Sequence, residues 1–191
     1  MGWSADPAIV QATEAIDKGN TEEAIAKLQA HVAVKPDCAD ALVLLQQLHW
    51  RKGDSAGHQG ATVKLCQIHL KHDGEAAWRD YEEFTSTGGE RFPATTWLEL
   101  CRFLEGQHNF DRAVTEYEKL AQAYPKDRQS LLALIAAGRL SLKQTGRPAD
   151  ALRLHQAAAA STVAHLDWET QAGIKEARTT LAVSREPVEK V

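Results

Sequence analysis

Residues 97 to 125 read WLELCRFLEGQHNFDRAVTEYEKLAQAYP, and the spacing of large and small side chains within them sets the class of the whole chain. Leu, Ala, Glu, Gln and Lys dominate, all good helix formers, and Gly, Asn and Pro supply the punctuation. The stretch predicts two helices, over 95–107 and 110–123, joined by a tight turn. Trp97, Leu100, Cys101 and Leu104 share one face of the first, while Ala113 and Tyr117 share one face of the second and Pro125 follows it. Two antiparallel helices approach closely where small residues sit, and large residues fill the groove between neighbours. Cys101 and Ala113 read as the small residues of that crossing.

Working outward, the same punctuation recurs. Asp6 is placed to cap a first helix with Pro7 at its first position, and Gly19 with Asn20 suits its end. Thr21 is then the expected cap of a second helix, ended by Pro36. Further helices are expected near 39–52, 59–72, 75–86, 128–144, 148–161 and 167–183, which makes about ten in all. Runs of β-branched residues with strand alternation are absent. The stretch SREPVEKV, residues 184–191, is polar, contains Pro187 and is expected to be a flexible tail.

The 97–125 stretch resembles the tetratricopeptide repeat (TPR) family, whose pattern W-x2-L-G-x2-Y, A-x3-F and P spans 34 residues. Cys101 stands where that family prefers Gly. A second copy lies in GNTEEAIAKLQAHVAVKP with Gly19, Ala24, Leu28 and Pro36, its first helix offering only Ala8, Ala12 and Ala15. A third has Leu42, Leu45 and His49, a lengthened turn GDSAGHQG, and then Ala61, Leu65 and Ile68. The fourth, with Ala151, His155 and Ala158, departs most from the pattern. The resemblance implies an all-α, TPR-like right-handed solenoid of antiparallel helix pairs, forming one domain over residues 1–183. The marker alanines Ala24, Ala61, Ala113 and Ala151 are unevenly spaced, leaving room for one extra unpaired helix in EAAWRDYEEF, with Ala77, Trp78, Tyr81 and Phe84 on one face. TSTGGERFP then breaks it, and the array is expected to bend or re-register around 74–95. A last helix with Trp168, Ile174, Ala177 and Leu181 inward is the expected C-terminal cap.

Hydrophobic residues make up 43% of the 191 and charged residues 25%, a globular balance, and the net charge is -4. Binding to nucleic acid or to an anionic membrane surface needs clustered Lys and Arg, which the sequence lacks. No apolar run approaches the roughly 20 residues of a membrane span, and MGWSADPAIV lacks the basic start and apolar core of a secretory signal, so the chain reads as soluble and cytoplasmic without membrane insertion. Cys38, Cys66 and Cys101 are odd in number and widely separated, which predicts buried reduced thiols.

CQIHLKHD, residues 66–73, is the one stretch with metal-ligand chemistry, because Cys66, His69 and His72 would align along one side of a helix. A closed zinc site needs four ligands, and a fourth is offered only by Asp73 or His58, so the expectation is the end of a repeat helix with no metal. No G-x-S-x-G elbow, glycine-rich phosphate loop or H-E-x-x-H helix is present, so no enzyme activity and no cofactor are expected. His31, His49, His108, His155 and His165 occupy ordinary repeat positions and are expected to pack.

Repeat arrays offer a concave surface lined by first helices, onto which a peptide or helix can lie. Tetratricopeptides that grip a terminal carboxylate do so with Lys, Asn and Arg on successive first helices. The aligned positions here bring Thr13, Gln47 and Arg102, with Ile9, Val43 and Leu98 nearby, so that clamp does not carry over. The groove candidates for a protein or peptide partner are Gln47, Trp50, Arg51, Arg102, Glu105 and Lys143, with Trp50 and Arg51 leading because Trp and Arg dominate interfaces. From GEAAWRDYEEF to HLDWETQAGIKEA the sequence also resembles the soluble helical tail of some bacterial rhomboid-type membrane proteins. The expected function is a noncatalytic protein-interaction scaffold. The alternatives are the accessory tail of a rhomboid-type protease, recruiting substrates or driving assembly, and a metal-responsive regulator built on the Cys66 region.

Overall fold

The structure is a computed structural model that describes residues 6–161 and 167–185, with side chains described for 6–161 and 170–183. Ten α-helices and no strand occur among the described residues: α1 (Pro7–Asp17), α2 (Thr21–Val34), α3 (Ala39–Lys52), α4 (Ser55–His69), α5 (Gly74–Ser86), α6 (Ala94–Gly106), α7 (Phe110–Ala123), α8 (Arg128–Lys143), α9 (Pro148–Ala159) and α10 (Asp167–Arg185). None of the described helices is long and apolar enough to cross a membrane. The chain divides into two compact units, Met1–Phe92 and Pro93–Val191.

In the first unit each helix packs on the next, from α1 through α5. Asp6 caps α1 by accepting from the Ala8 N–H at 3.1 Å, with Pro7 at the first position, and Gly19 takes φ +78° in the turn that follows. Thr21 proves to be the first residue of α2 rather than its cap, a position taken by Asn20 without a side-chain hydrogen bond. α2 starts at residue 21 and α4 at residue 55, 34 residues on, which is one repeat period. α5 starts 35 residues after α3, at 74 against 39, so it is a first helix whose second helix is missing. It presents Ala77, Trp78, Tyr81 and Phe84 to the interior, as its pattern predicts, and the chain after it folds back to bury Phe92. Phe92 meets the rings of Tyr81 and Phe84 edge-on, both at 5.1 Å, an arrangement that stabilises aromatic pairs by about 0.5–1.5 kcal/mol each beyond area burial.

The second unit repeats this plan with two hairpins, α6–α7 and α8–α9, followed by α10, which packs on α9 and α8. α6 and α8 start 34 residues apart, at 94 and 128. Trp97 is buried, and its indole N–H donates to the buried Glu116 at 3.1 Å, tying the two helices of the hairpin. The four marker alanines lie buried, three of them at 0% exposure, and Cys101 is equally enclosed. Ala177 of the capping helix is buried as expected, with Ile174 and Leu181 half-buried and Thr170 filling a core position that the pattern does not mark. The side chain of Trp168, together with His165 and residues 186–191, lies outside what is described, and α10 reaches Arg185, two residues into the stretch expected to be tail.

The expected turn GDSAGHQG is the clearest departure from the sequence reading. Only Gly53, at φ +74°, and Asp54 turn; α4 begins at Ser55, four residues before its expected start. Asp54 accepts from the Gly57 N–H at 2.9 Å and meets His49 Nδ1 at 2.7 Å, so one carboxylate caps α4 and holds the end of α3. The Gly57 N–H, and then His49, hold the Asp54 carboxyl below the usual carboxylate range. Its contribution to stability is therefore present above the unfolded value, about pH 4, and lost as pH falls through the lower folded value. Gly57 is required by packing, not by a turn, since a Cβ there would lie 2.2 Å from His49 Nδ1. Gly60 sits in the same helix with nothing within 4 Å of a Cβ. Gly57→Ala should therefore destabilise the first unit by about 1–3 kcal/mol through overpacking, whereas Gly60→Ala should stabilise it by about 0.5–1 kcal/mol. Thermal melts of the two variants check this, and equal shifts would show that the His49 contact does not form.

Candidate functional sites

The CQIHLKHD stretch is taken apart by the end of α4. The helix stops at His69, so His72 lies in the exposed turn beyond it and the three residues do not line one helix side. Cys66 is fully buried, and its thiol donates to the Ala77 carbonyl at 3.3 Å. His69 Nδ1 lies 2.6 Å from Asp80 on α5. Burial pushes the Asp80 carboxyl up, and the His69 partner opposes that shift. Asp73 caps α5 through the Ala76 N–H at 2.9 Å, and His58 is at the other end of α4. Each candidate ligand thus joins α4 to α5 or faces solvent, and no three His, Cys, Asp or Glu side chains among the described residues come together to hold a metal. Cys101 is buried beside Glu116, and burial first, then that carboxylate, push its thiol well above the usual range, so it does not supply a thiolate. Cys38, expected in the core, is half-buried at the start of α3. His49 and His155 are buried as expected, but His108 is exposed at φ +58° in the turn between α6 and α7, a turn position and not a packing one.

Two grooves hold five of the six partner-binding candidates. In the second unit a groove of about 840 Å³ runs along α6 and α8, with Leu98, Leu132, Ile135 and Leu140 among its apolar lining. Arg102 and Glu105 come to it from α6, Lys143 from α8. Glu105 is engaged twice, accepting from the Tyr117 hydroxyl at 3.2 Å and pairing with Arg139. Arg102 is exposed and forms no ion pair among the described residues, and Lys143 reaches Glu176 only at 3.7 Å. Arg102 and Lys143 lie in the C-terminal halves of α6 and α8, where the helix dipole favours positive charge without a carboxylate partner.

In the first unit a smaller groove of about 330 Å³ is lined by Gln46, Gln47 and Trp50 from α3, His58 from α4, and Glu83 and Ser86 from α5. Trp50 is 60% exposed. Arg51 is exposed beside it in sequence but does not line the groove. Of the residues flanking the carboxylate-clamp positions, Ile9 is buried in the core, so it is not available to a partner, and Val43 is half-buried against that core. Arg139, His58 and Glu83 are among the lining residues that escaped the sequence reading. Arg139 carries a signal, standing one helical turn before Lys143 on α8. His58 and Glu83 carry none, because they are 25 positions apart, at 58 and 83, and meet only through the packing of α4 on α5.

No protein-family model matches the chain, and no curated protein matches it. Solved structures similar to it include the TPR domain of P58(IPK), at 16% identity over 97% of this chain and 58% of that one, with a TM-score of 0.44. Two structures of MamA are also similar, one at 15% identity over 100% of both chains with a TM-score of 0.45, the other at 14% over 91% and 95% with a TM-score of 0.41. The chain thus spans just over half the length of the first of these. Its own hairpins, their 34-residue offset and the buried alanines at the crossings make the fold TPR-like.

The engaged Cys66 and His69 lead to a direct expectation. Equimolar zinc should leave the thermal midpoint unchanged, because a ligand that binds only the folded state must raise it. A stabilisation by zinc that disappears in Cys66→Ser would restore the metal reading.

Proposed function

We propose that the chain is a noncatalytic protein-interaction scaffold of the cytoplasm, its residues 1–183 serving as one domain that holds a peptide or helix in the grooves along its first helices. The observation that carries this reading is the groove of the second unit, where an apolar lining is edged by Arg102, with no ion pair among the described residues, and by Lys143 with only a distant one. A ligand lying there would bury Leu98, Leu132 and Ile135 from water and offer acceptors to the two cations. Apolar burial supplies affinity in such a site, and charged groups at the rim set orientation. Gln47, Trp50 and Arg51 are proposed as contacts on the first unit. Nucleic acid is not the proposed partner, since the chain carries a net charge of -4 and Arg139 is already paired with Glu105. A role as the tail of a rhomboid-type protease would use the same scaffold to recruit substrates.

The test is to capture a partner from native lysate, identify the bound segment, and titrate it against variants. Arg102→Ala and Lys143→Ala should each change stability by no more than about 0.5 kcal/mol while weakening binding by about 1 kcal/mol or more. Ala113→Leu should do the reverse, overpacking the α6–α7 crossing at about 1–3 kcal/mol and harming binding only through the fold. Normal binding by both cation variants, with the partner mapped to α7 and α9, would overturn the groove reading.

A further inference from the structure

The groove of the second unit changes character along its length. Leu98 and Leu132 hold equivalent positions on α6 and α8, 34 residues apart (98 to 132), as do Glu105 and Arg139, which pair with each other. Both walls carry the same order of side chains. On α6 the lining runs from Leu98 to Arg102 and Glu105, and on α8 from Leu132 and Ala136 to Arg139 and Lys143. Of the apolar side chains at the charged end, Leu140 and Tyr117 are buried and Phe110 is half-buried, so what that end offers a ligand is chiefly ionic. Glu105 is the one carboxylate in the lining, against Arg102, Arg139 and Lys143, in a chain whose net charge is -4. It is engaged by Arg139 and by the Tyr117 hydroxyl at 3.2 Å, with its side chain 27% exposed. The remaining positive charge lies on Arg102, with no ion pair among the described residues, and on Lys143, which is 55% exposed at its side chain and 3.7 Å from Glu176.

We propose that this groove binds an extended segment of a protein partner that is apolar at one end and acidic at the other, with Glu105 acting as an internal anion that already occupies Arg139. The segment's apolar residues cover Leu98, Leu132 and Ala136, and its carboxylates meet Arg102 and Lys143. Leu132 and Lys143 are 11 residues apart on one helix (132 to 143), about 16 Å at the α-helical rise, a length that about five extended residues cover. Arg102 is equivalent to Ala136 (102 to 136), seven residues before Lys143 and about 10 Å along the helix, so the two cations take separate carboxylates. Order within the segment matters as much as composition. Alternating apolar and acidic residues would press carboxylates against the leucines and bury them unpaired, and a basic segment would meet like charges. Glu105 limits how tightly an acidic segment is held, since its charge opposes the ligand's and its hold on Arg139 withdraws a third cation. The inference rests on the scaffold reading and narrows it to one class of partner.

The experiment selects peptides from a random phage-displayed library with the full chain as bait. Ala136→Phe, which fills the groove without changing its charge, is the counter-bait, and Leu132→Ala takes its place if the melting temperature of Ala136→Phe falls. Peptides enriched on the full chain and lost on the counter-bait bind in the groove. These should carry Leu, Ile or Phe toward one end and two or more Asp or Glu toward the other. A synthetic copy should bind about tenfold or more weakly to the double variant Arg102→Gln with Lys143→Gln, and as weakly when its residues are reordered to alternate. It should bind Glu105→Gln about threefold or more tightly, because an opposing charge is gone and Arg139 is released, while the glutamine oxygen still accepts from Tyr117. Groove-dependent peptides that are neutral or basic, that bind equally well when reordered, or that bind Glu105→Gln no more tightly would each overturn the inference and leave the scaffold reading standing. Enriched peptides that bind the counter-bait undiminished, or no enrichment at all, would remove the groove reading together with it.

Discussion

Paired helices in this chain cross where the side chain is no larger than a methyl or a thiol. Ala24, Ala113 and Ala151 are at 0% exposure and Ala61 at 6%, each on the second helix of its hairpin, and Cys101 fills the same need on α6. Close approach at these points lets Leu28 and Leu65 in the first unit, and Leu100 and Leu120 in the second, lie buried instead of holding the helices apart. It also fixes which faces remain outside. Once the small residues point inward, Arg102 and Glu105 are carried to the opposite edge of α6 and Trp50 to the outer edge of α3, so the grooves follow from the crossings.

Polar side-chain pairs then tie successive helices together. In the first unit, four histidines each face a carboxylate: His31 with Asp6 at 3.7 Å, His49 with Asp54 at 2.7 Å, His58 with Glu83 at 3.3 Å and His69 with Asp80 at 2.6 Å. In the second unit the ties are arginines, Arg139 to Glu105, Arg147 to Asp111 and Arg153 to Glu118, at sequence separations of 34, 36 and 35. Those separations are one repeat, so the pairs link equivalent levels of consecutive hairpins. Exposed pairs of this kind add little stability individually, and their effect is on register. The His58 pair differs from the rest in that both its partners line an open groove.

The two grooves are therefore not copies. One has an apolar lining and a basic rim; the other is small, aromatic and edged by a single carboxylate. Both are lined largely by first helices, α6 with α8 and α3 with α5, but the residues that give them their chemistry are not the ones that build the repeat. Divergence at these positions leaves the crossings untouched, which is why one fold can carry unlike recognition surfaces.

The amino-acid sequence by itself determined the helices and their pairing, because the spacing of Trp97, Leu100, Cys101 and Leu104 against Ala113 and Tyr117 is a local periodic signal that folding must bury. It also located the unpaired α5 and the exposed Trp50 and Arg102, since both follow from helical period. It misjudged the start of α4, where Gly53, Gly57 and Gly60 read as a turn although Gly57 is there to admit His49. It aligned His72 with Cys66 and His69 although the helix stops short of it, as helix ends depend on caps and neighbours more than on propensity. The meeting of His58 with Glu83 under Trp50 was decided by tertiary structure alone. Period specifies which face a residue occupies, but which partner stands opposite depends on how α4 packs on α5, and no spacing within either helix encodes that distance.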